Sequence, residues 1–158
     1  NCWRYVCNDK VDPSKRDDEP TRKIYPPGVV WNEKKEKIES SPESVAKGLK
    51  EKYNIDRPDK NGNCKECTYK VYLAFNPYGT DWDPRTGLNK YWYNDYHWYR
   101  QDTDDNCKPT GTWSHKRGDG PVETGVMDPE KHAKSIKYGS PGGFFCFPCE
   151  KGKIDADL

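Results

Sequence analysis

The sequence predicts an α+β domain in which N-terminal helices pack on an antiparallel sheet and disulfides staple the whole. Three observations carry that reading. A chain of 158 residues is the length of one domain, 1–158, around one core. Only 32% of its residues are hydrophobic while 34% are charged, so Leu, Ile and Val alone do not fill such a core. The supply is made up by 6 Trp, 11 Tyr and 4 Phe together with 7 cysteines, since an aromatic ring buries on the order of 150 to 250 Å² and crosslinks stand in for missing apolar volume. The third observation is order along the chain: helical periodicity comes early and strand-like alternation later.

Residues 1–8 read as the start of a helix, with Asn1 as its cap and Cys2, Tyr5 and Val6 on one face. Residues 9–23 are charged, hold Pro13 and Pro20 and have no apolar period, which predicts a surface loop. Ser40 and Glu43 fit a capping box, Pro42 fits a first turn, and Val45, Leu49 and Tyr53 recur every four residues, so a helix is expected over 42–53. Residues 68–75 alternate Val71, Leu73 and Phe75 with Tyr72 and Ala74, the pattern of a strand buried on both faces. Pro77, Gly79 and Pro84 mark 76–89 as a loop. A long strand is expected over 91–102 and a return strand over 112–116. Residues 117–143 read as mostly irregular, with a short helix opened by Asp128 and Pro129, and 144–148 as a last, edge strand.

With 27 basic and 26 acidic side chains mixed at short range, no attraction to nucleic acid or to a membrane surface follows. No apolar run approaches the roughly 18 residues of a membrane span. The cysteine count is odd. Cys64-Lys-Glu-Cys67 and Cys146-Phe-Pro-Cys149 have the spacing of zinc knuckles and together would make a four-thiolate metal site. The preferred expectation is a secreted, extracellular protein with three disulfides among the last six cysteines and Cys2 left free. Six cysteines allow 15 pairings, and the sequence does not choose among them.

Counting across the loop 103–111 suggests a reactive constellation. In a hairpin symmetric about Asn106, Gln101 faces Gly111, Tyr99 faces Trp113 and His97 faces His115. Directly opposed residues have Cβ atoms roughly 4.5 to 5.5 Å apart, so one imidazole can orient the other. A thiol at a helix N-terminus beside an imidazole is favoured as a nucleophile. Cys2, His97 and His115 are therefore expected as nucleophile, general base and orienter, with no cofactor required. Taken alone, Cys2 fits a disulfide partner better than a nucleophile.

The blocks Asn1-Cys2-Trp3-Arg4-Tyr5-Val6, Asp95-Tyr96-His97-Trp98-Tyr99-Arg100-Gln101-Asp102 and Gly111-Thr112-Trp113-Ser114-His115-Lys116 resemble a little-characterised group of extracellular proteins that carry NCYxYA-like, DYHFYRxD and GxWSHKxG blocks. More remotely, the order of a cysteine, a histidine opening a strand and a polar residue on the next strand is similar to papain-like cysteine peptidases of the NlpC type. That resemblance implies a papain-like fold and cleavage of a peptide or amide bond, and it reaches Cys2, His97 and His115 only. The chain departs from it where Val6-Cys7 stands in place of an alanine and a bulky apolar residue.

Two other classes of function fit the same sequence. The tryptophans and tyrosines between Trp82 and Trp98 suit stacking on sugar rings, so a carbohydrate-binding module that recognises a glycan polymer is one alternative. A catalytically inert subunit that self-assembles through exposed edges is the other. His132, in Glu130-Lys131-His132, reads as a solvated helix residue.

Overall fold

A computed structural model of the chain describes residues 2–7, 25–34, 37–58, 60–76, 79–83, 88–92, 95–117 and 120–149. The loop expected over 9–23 lies outside them. The described elements run α1 (Cys2–Val6), β1 (Val30–Asn32), β2 (Lys37–Glu39), α2 (Pro42–Tyr53), β3 (Thr68–Asn76), β4 (Gly79–Asp83), β5 (Leu88–Trp92), β6 (Asp95–Thr103), β7 (Pro109–Lys116), β8 (Val122–Val126), α3 (Pro129–Ser135) and β9 (Ser140–Pro148). The chain is an α+β fold built on a five-stranded antiparallel sheet of order β8-β7-β6-β3-β9. Two hairpins, β1–β2 and β4–β5, stand apart from that sheet. Among the described residues no helix is long and apolar enough to cross a membrane.

Strand β3 has seven consecutive buried residues between half-buried ends because both faces of the sheet are covered. Successive side chains of a strand point to opposite faces. Tyr69, Val71, Leu73 and Phe75 join Trp98, Phe145 and Phe147 on one face, under Trp3 and Val6 of α1 and Val45 and Leu49 of α2. Tyr72 and Ala74 join Tyr99, Trp113, Val126 and Phe144 on the other, against Ala133 of α3. Rings make up much of the first face: Trp3 lies 5.4 Å from Trp98 and 5.9 Å from Phe147 between centroids. The short α1 is also tied down by polar contacts. The Tyr5 hydroxyl sits 2.5 Å from Ser114 Oγ, Ser114 Oγ donates to Asp102 at 2.5 Å, and the buried Tyr69 hydroxyl donates to the Val6 carbonyl.

Helix α2 spans the residues its periodicity predicts, but its cap is one residue later than expected. Ser41, not Ser40, accepts from the Ser44 N–H at 3.0 Å, and Ser44 Oγ accepts from the Ser41 N–H at 2.9 Å. Two adjacent serines offer two capping frames, and the one chosen also lets Ser44 Oγ donate to the Gly28 carbonyl. Helix α3 opens as expected at Asp128, whose side chain accepts from Glu130 and Lys131 N–H groups, followed by Pro129. The residues expected as a loop over 76–89 include β4 and part of β5, and the long strand expected over 91–102 falls in two strands of different sheets, β5 and β6.

Two disulfides, Cys64–Cys146 and Cys107–Cys149, join the start of β3 and the β6–β7 turn to the end of β9. Cys2 is a free thiol, as expected. Cys7, buried in the main core, and Cys67, at the surface, stand outside both bridges, so two of the three bridges expected among the last six cysteines are seen among the described residues. Of the four cysteines considered as a zinc site, Cys64, Cys146 and Cys149 lie in these bridges and Cys67 does not, an arrangement that does not present four thiolates.

Candidate functional site

The three histidines of the chain converge on the α3 face of the sheet. His97 is the third residue of β6, His115 the penultimate residue of β7, and His132 lies in the middle of α3. The register that brings the first two together differs from simple counting. Thr103 pairs with Pro109, as symmetry about Asn106 requires, but an irregularity after Gln101 makes Gln101 pair with Trp113 and Tyr99 with His115. Gly111, at φ +95°, sits within the extra length of β7, a conformation that strongly favours glycine. The slip amounts to two residues, and an even slip keeps every side chain on its own face. His97 and His115 are therefore diagonal rather than directly opposed, yet His97 Nε2 lies 2.8 Å from His115 Nδ1, with ring centroids 5.0 Å apart.

Both rings are buried, His97 with 3% of its surface exposed and His115 with none. Desolvation penalises the imidazolium and pulls His97 down to about 3, helped by His115, Arg117 and His132, and His115 down to about 4, where Glu123 pushes back up against His132 and Arg117. The far nitrogen of His115, Nε2, has Glu123 Oε2 at 3.5 Å but no well-formed hydrogen bond. Arg117 Nε holds the other carboxylate oxygen, Oε1, at 3.3 Å. His97 Nδ1 makes no hydrogen bond and is not among the sealed, unpartnered polar atoms, which among the described residues are Trp98 Nε1 and His115 Nε2 alone.

His132 is half-buried, not solvated as its local sequence suggests. Its Nδ1 lies 2.9 Å from the Tyr99 hydroxyl and its ring 4.9 Å from that of His115. Nothing in residues 130–132 signals this, because the contact depends on α3 crossing the sheet. Tyr138, which follows α3, adds a further wall: its ring stands 5.2 Å from His97 and its hydroxyl donates to Asp95 at 2.6 Å.

Cys2 approaches the same strand from the opposite layer. It packs with α1 at the edge of the first core, and the backbone N–H groups of Trp98 and Trp3 point to its sulfur. Burial, followed by the nearby Asp95 carboxylate, pushes its thiol up to about 12 against those two N–H groups and the N-terminal charge. The resting Cys2 is a thiol and the resting His97 a neutral imidazole. Among the described residues no hydrogen bond links the Cys2 sulfur to His97. The structure brings His97 and His115 into direct contact and adds Glu123 and His132 to them, while Cys2 lies against the residue that follows His97. Trp98, one of the rings considered for sugar stacking, is wholly buried. The side chains of Trp82 and Trp92 lie outside the described residues.

Compared with protein-family models, with curated proteins and with solved structures, the chain has no match.

Proposed function

We propose that the domain is a secreted papain-like cysteine hydrolase, a peptidase or amidase acting on an extracellular polymer, with Cys2 as nucleophile, His97 as general base and His115 as its orienter. The observation that carries this reading is the asymmetry of His97: one ring nitrogen is bound to a second buried imidazole and the other has no hydrogen-bond partner among the described residues. A carboxylate accepts only, so Glu123 favours a proton on His115 Nε2. His115 Nδ1 then accepts from His97 Nε2–H, which leaves the lone pair on His97 Nδ1 to take a proton.

Since thiol and imidazole are both neutral at rest, the proton moves as the bond forms. His97 Nδ1 takes the Cys2 proton while the sulfur attacks a carbonyl carbon held at the start of α1. The imidazolium is steadied by His115 and returns the proton to the leaving amine, and water then cleaves the thioester by the same base. Among the described residues no hydrogen bond joins Cys2 to His97 at rest, so this reading requires the two to come within hydrogen-bond reach in the encounter with substrate. The fold order of cysteine on a helix, histidine on a strand and histidine on the adjacent strand supports the NlpC-type version of the reading.

The test is turnover of cell-wall peptides and simple amides by the wild type, Cys2→Ser and His97→Ala. Loss of turnover in both variants is expected. Turnover unchanged in Cys2→Ser, or iodoacetamide labelling confined to Cys67, would remove the reading. One observation favours a second reading, an inert assembly subunit or carbohydrate-binding module on the same fold: the Cys2 thiol is strongly held protonated. Glycan binding or self-association that survives Cys2→Ser would favour it.

A further inference from the structure

The far side of the histidine pair holds a second constellation, which the hydrolytic reading does not use. His115, Glu123 and His132 each offer one ligand atom, and these atoms all lie within 4.8 Å of one another. His115 Nε2 is sealed from solvent and has no hydrogen-bond partner. Leaving a buried polar atom unmet is destabilising, so its convergence with a carboxylate and a second imidazole calls for an occupant. We infer that His115, Glu123 and His132 bind one divalent first-row transition metal, Zn²⁺ being the best fit, and that its occupancy sets which nitrogen of His97 carries the proton.

The ligand set fits that cation class. Two imidazoles and one carboxylate suit borderline metals such as zinc and leave a coordination position open, whereas calcium and magnesium prefer oxygen alone. Atoms bonded to a tetrahedral zinc at about 2.0–2.1 Å lie about 3.3 Å apart. His115 Nε2 and Glu123 Oε2, at 3.5 Å, already meet that spacing. Glu123 is exposed over 44% of its side chain and His132 is half-buried, so the cation has a route in and two of its ligands have room to close on it.

The surrounding contacts are those that orient metal ligands. Ligating histidines generally bond through their other ring nitrogen to a fixed partner. His115 does so through Nδ1 to His97 and His132 through Nδ1 to the Tyr99 hydroxyl. His132 Nε2 makes no hydrogen bond, and Arg117 holds Oε1 of Glu123 while leaving Oε2. Arg117 also opposes the cation by charge, which makes affinity depend on salt.

The consequence for His97 follows from counting protons. A metal takes the lone pair of His115 Nε2, so the proton of that ring moves to Nδ1. It then donates to His97 Nε2, and the His97 proton must sit on Nδ1. His97 Nδ1 becomes a donor and can no longer accept. This last step rests on the hydrolytic reading for its effect on activity, but neither the site nor the tautomer does.

The experiment is titration of the EDTA-stripped full chain with Co²⁺, followed by visible absorption and calorimetry, then displacement by Zn²⁺. One-to-one binding is expected, weakened at least about tenfold in His132→Gln and in Glu123→Gln, the latter at an exposed position where folding is not in question. Imidazole nitrogen spectra should report the His97 proton on Nε2 in stripped protein and on Nδ1 in loaded protein. Absent binding, binding indifferent to both variants, or the charge-transfer band of a sulfur ligand would overturn the site. A His97 tautomer unchanged by loading would overturn the coupling. Neither readout passes through turnover, so failure of the hydrolase reading, seen as activity indifferent to Cys2→Ser, remains separate. Where turnover exists, Zn²⁺ should suppress it in wild type and not in His132→Gln.

Discussion

Two buried nitrogens without a hydrogen bond lie on opposite faces of one sheet, Trp98 Nε1 and His115 Nε2, and their surroundings give them different meanings. Trp98 is packed among Trp3, Phe145 and Phe147, and an indole N–H can only donate. Its missing bond is a packing compromise: a large ring of the core is placed where, among the described residues, no acceptor reaches. His115 Nε2 can donate, accept or ligate, and a carboxylate and a second imidazole converge on it. An unmet polar atom is thus a cost where hydrocarbon surrounds it and a site where other polar atoms converge. Alternation along β6 and β7 builds both at once, Trp98 facing one way and His97 the other.

The hydrocarbon face is the place to look for the largest effect. Trp98→Ala should cost roughly 3–5 kcal/mol in urea unfolding, because it removes the ring on which Trp3 holds α1 to the sheet. A loss below about 1 kcal/mol would mean that this face is not the main support of the fold.

Acid should weaken the other face. Burial holds His97 near 3 and His115 near 4, whereas unfolded imidazoles titrate near about 6.5. Between those values the unfolded chain binds more protons than the native one. Stability is therefore full above about pH 6.5 and falls as pH drops through the window toward 4 and then 3. In metal-free protein the slope near about pH 5 should approach two protons per molecule, and His97→Phe should remove about one of them. A stability profile flat over that range would erase the contrast between the faces.

Two smaller changes sharpen it. Ser41→Ala removes the α2 cap and should cost about 1 kcal/mol without altering the histidine nitrogen spectra. Tyr99→Phe removes the hydroxyl at His132 Nδ1 and should cost roughly 0.5 kcal/mol, the low end for a half-buried hydrogen bond, while measurably weakening Co²⁺ binding. If Ser41→Ala moved the imidazole signals and Tyr99→Phe did not, the two faces would not be independent.

What the sequence revealed about this arrangement depended on how local each signal was. Helix α2 was legible because Val45, Leu49 and Tyr53 repeat within one element, and β3 because neither of its faces is polar. The contact of His97 with His115 was legible through parity: both lie an odd number of residues from Asn106, so even a register shifted by two keeps them on one face. The slip itself was hidden in the extra residues around Gly111. Strand β9 begins at Ser140 rather than at 144 because an edge strand tolerates Pro141 and a bulge, which from sequence alone read as breakers. The hairpins β1–β2 and β4–β5 were masked by the charges of 33–37 and the prolines at 77 and 84. His132 and Glu123 could not be found from their neighbours, since one arrives on a helix and the other on a strand whose alternation is broken by Gly125. The scarcity of histidine, three in the whole chain, was the signal that could have linked them.

The bridge between Cys64 and Cys146, 82 positions apart, gives the domain a direction of mechanical weakness. A load applied along the chain passes from residue 64 to residue 146 through one covalent bond, so β3, β6, β7 and β8 lie outside the path of the force and cannot be unzipped by it. Helix α1 lies within that path. It is held by ring packing at Trp3, the contact of Tyr5 with Ser114 and the bond from Tyr69 to Val6. Under tension the element that carries Cys2 is pulled from the sheet while the three histidines stay together, so stretching separates the thiol from the imidazoles before it unfolds the strands that hold them.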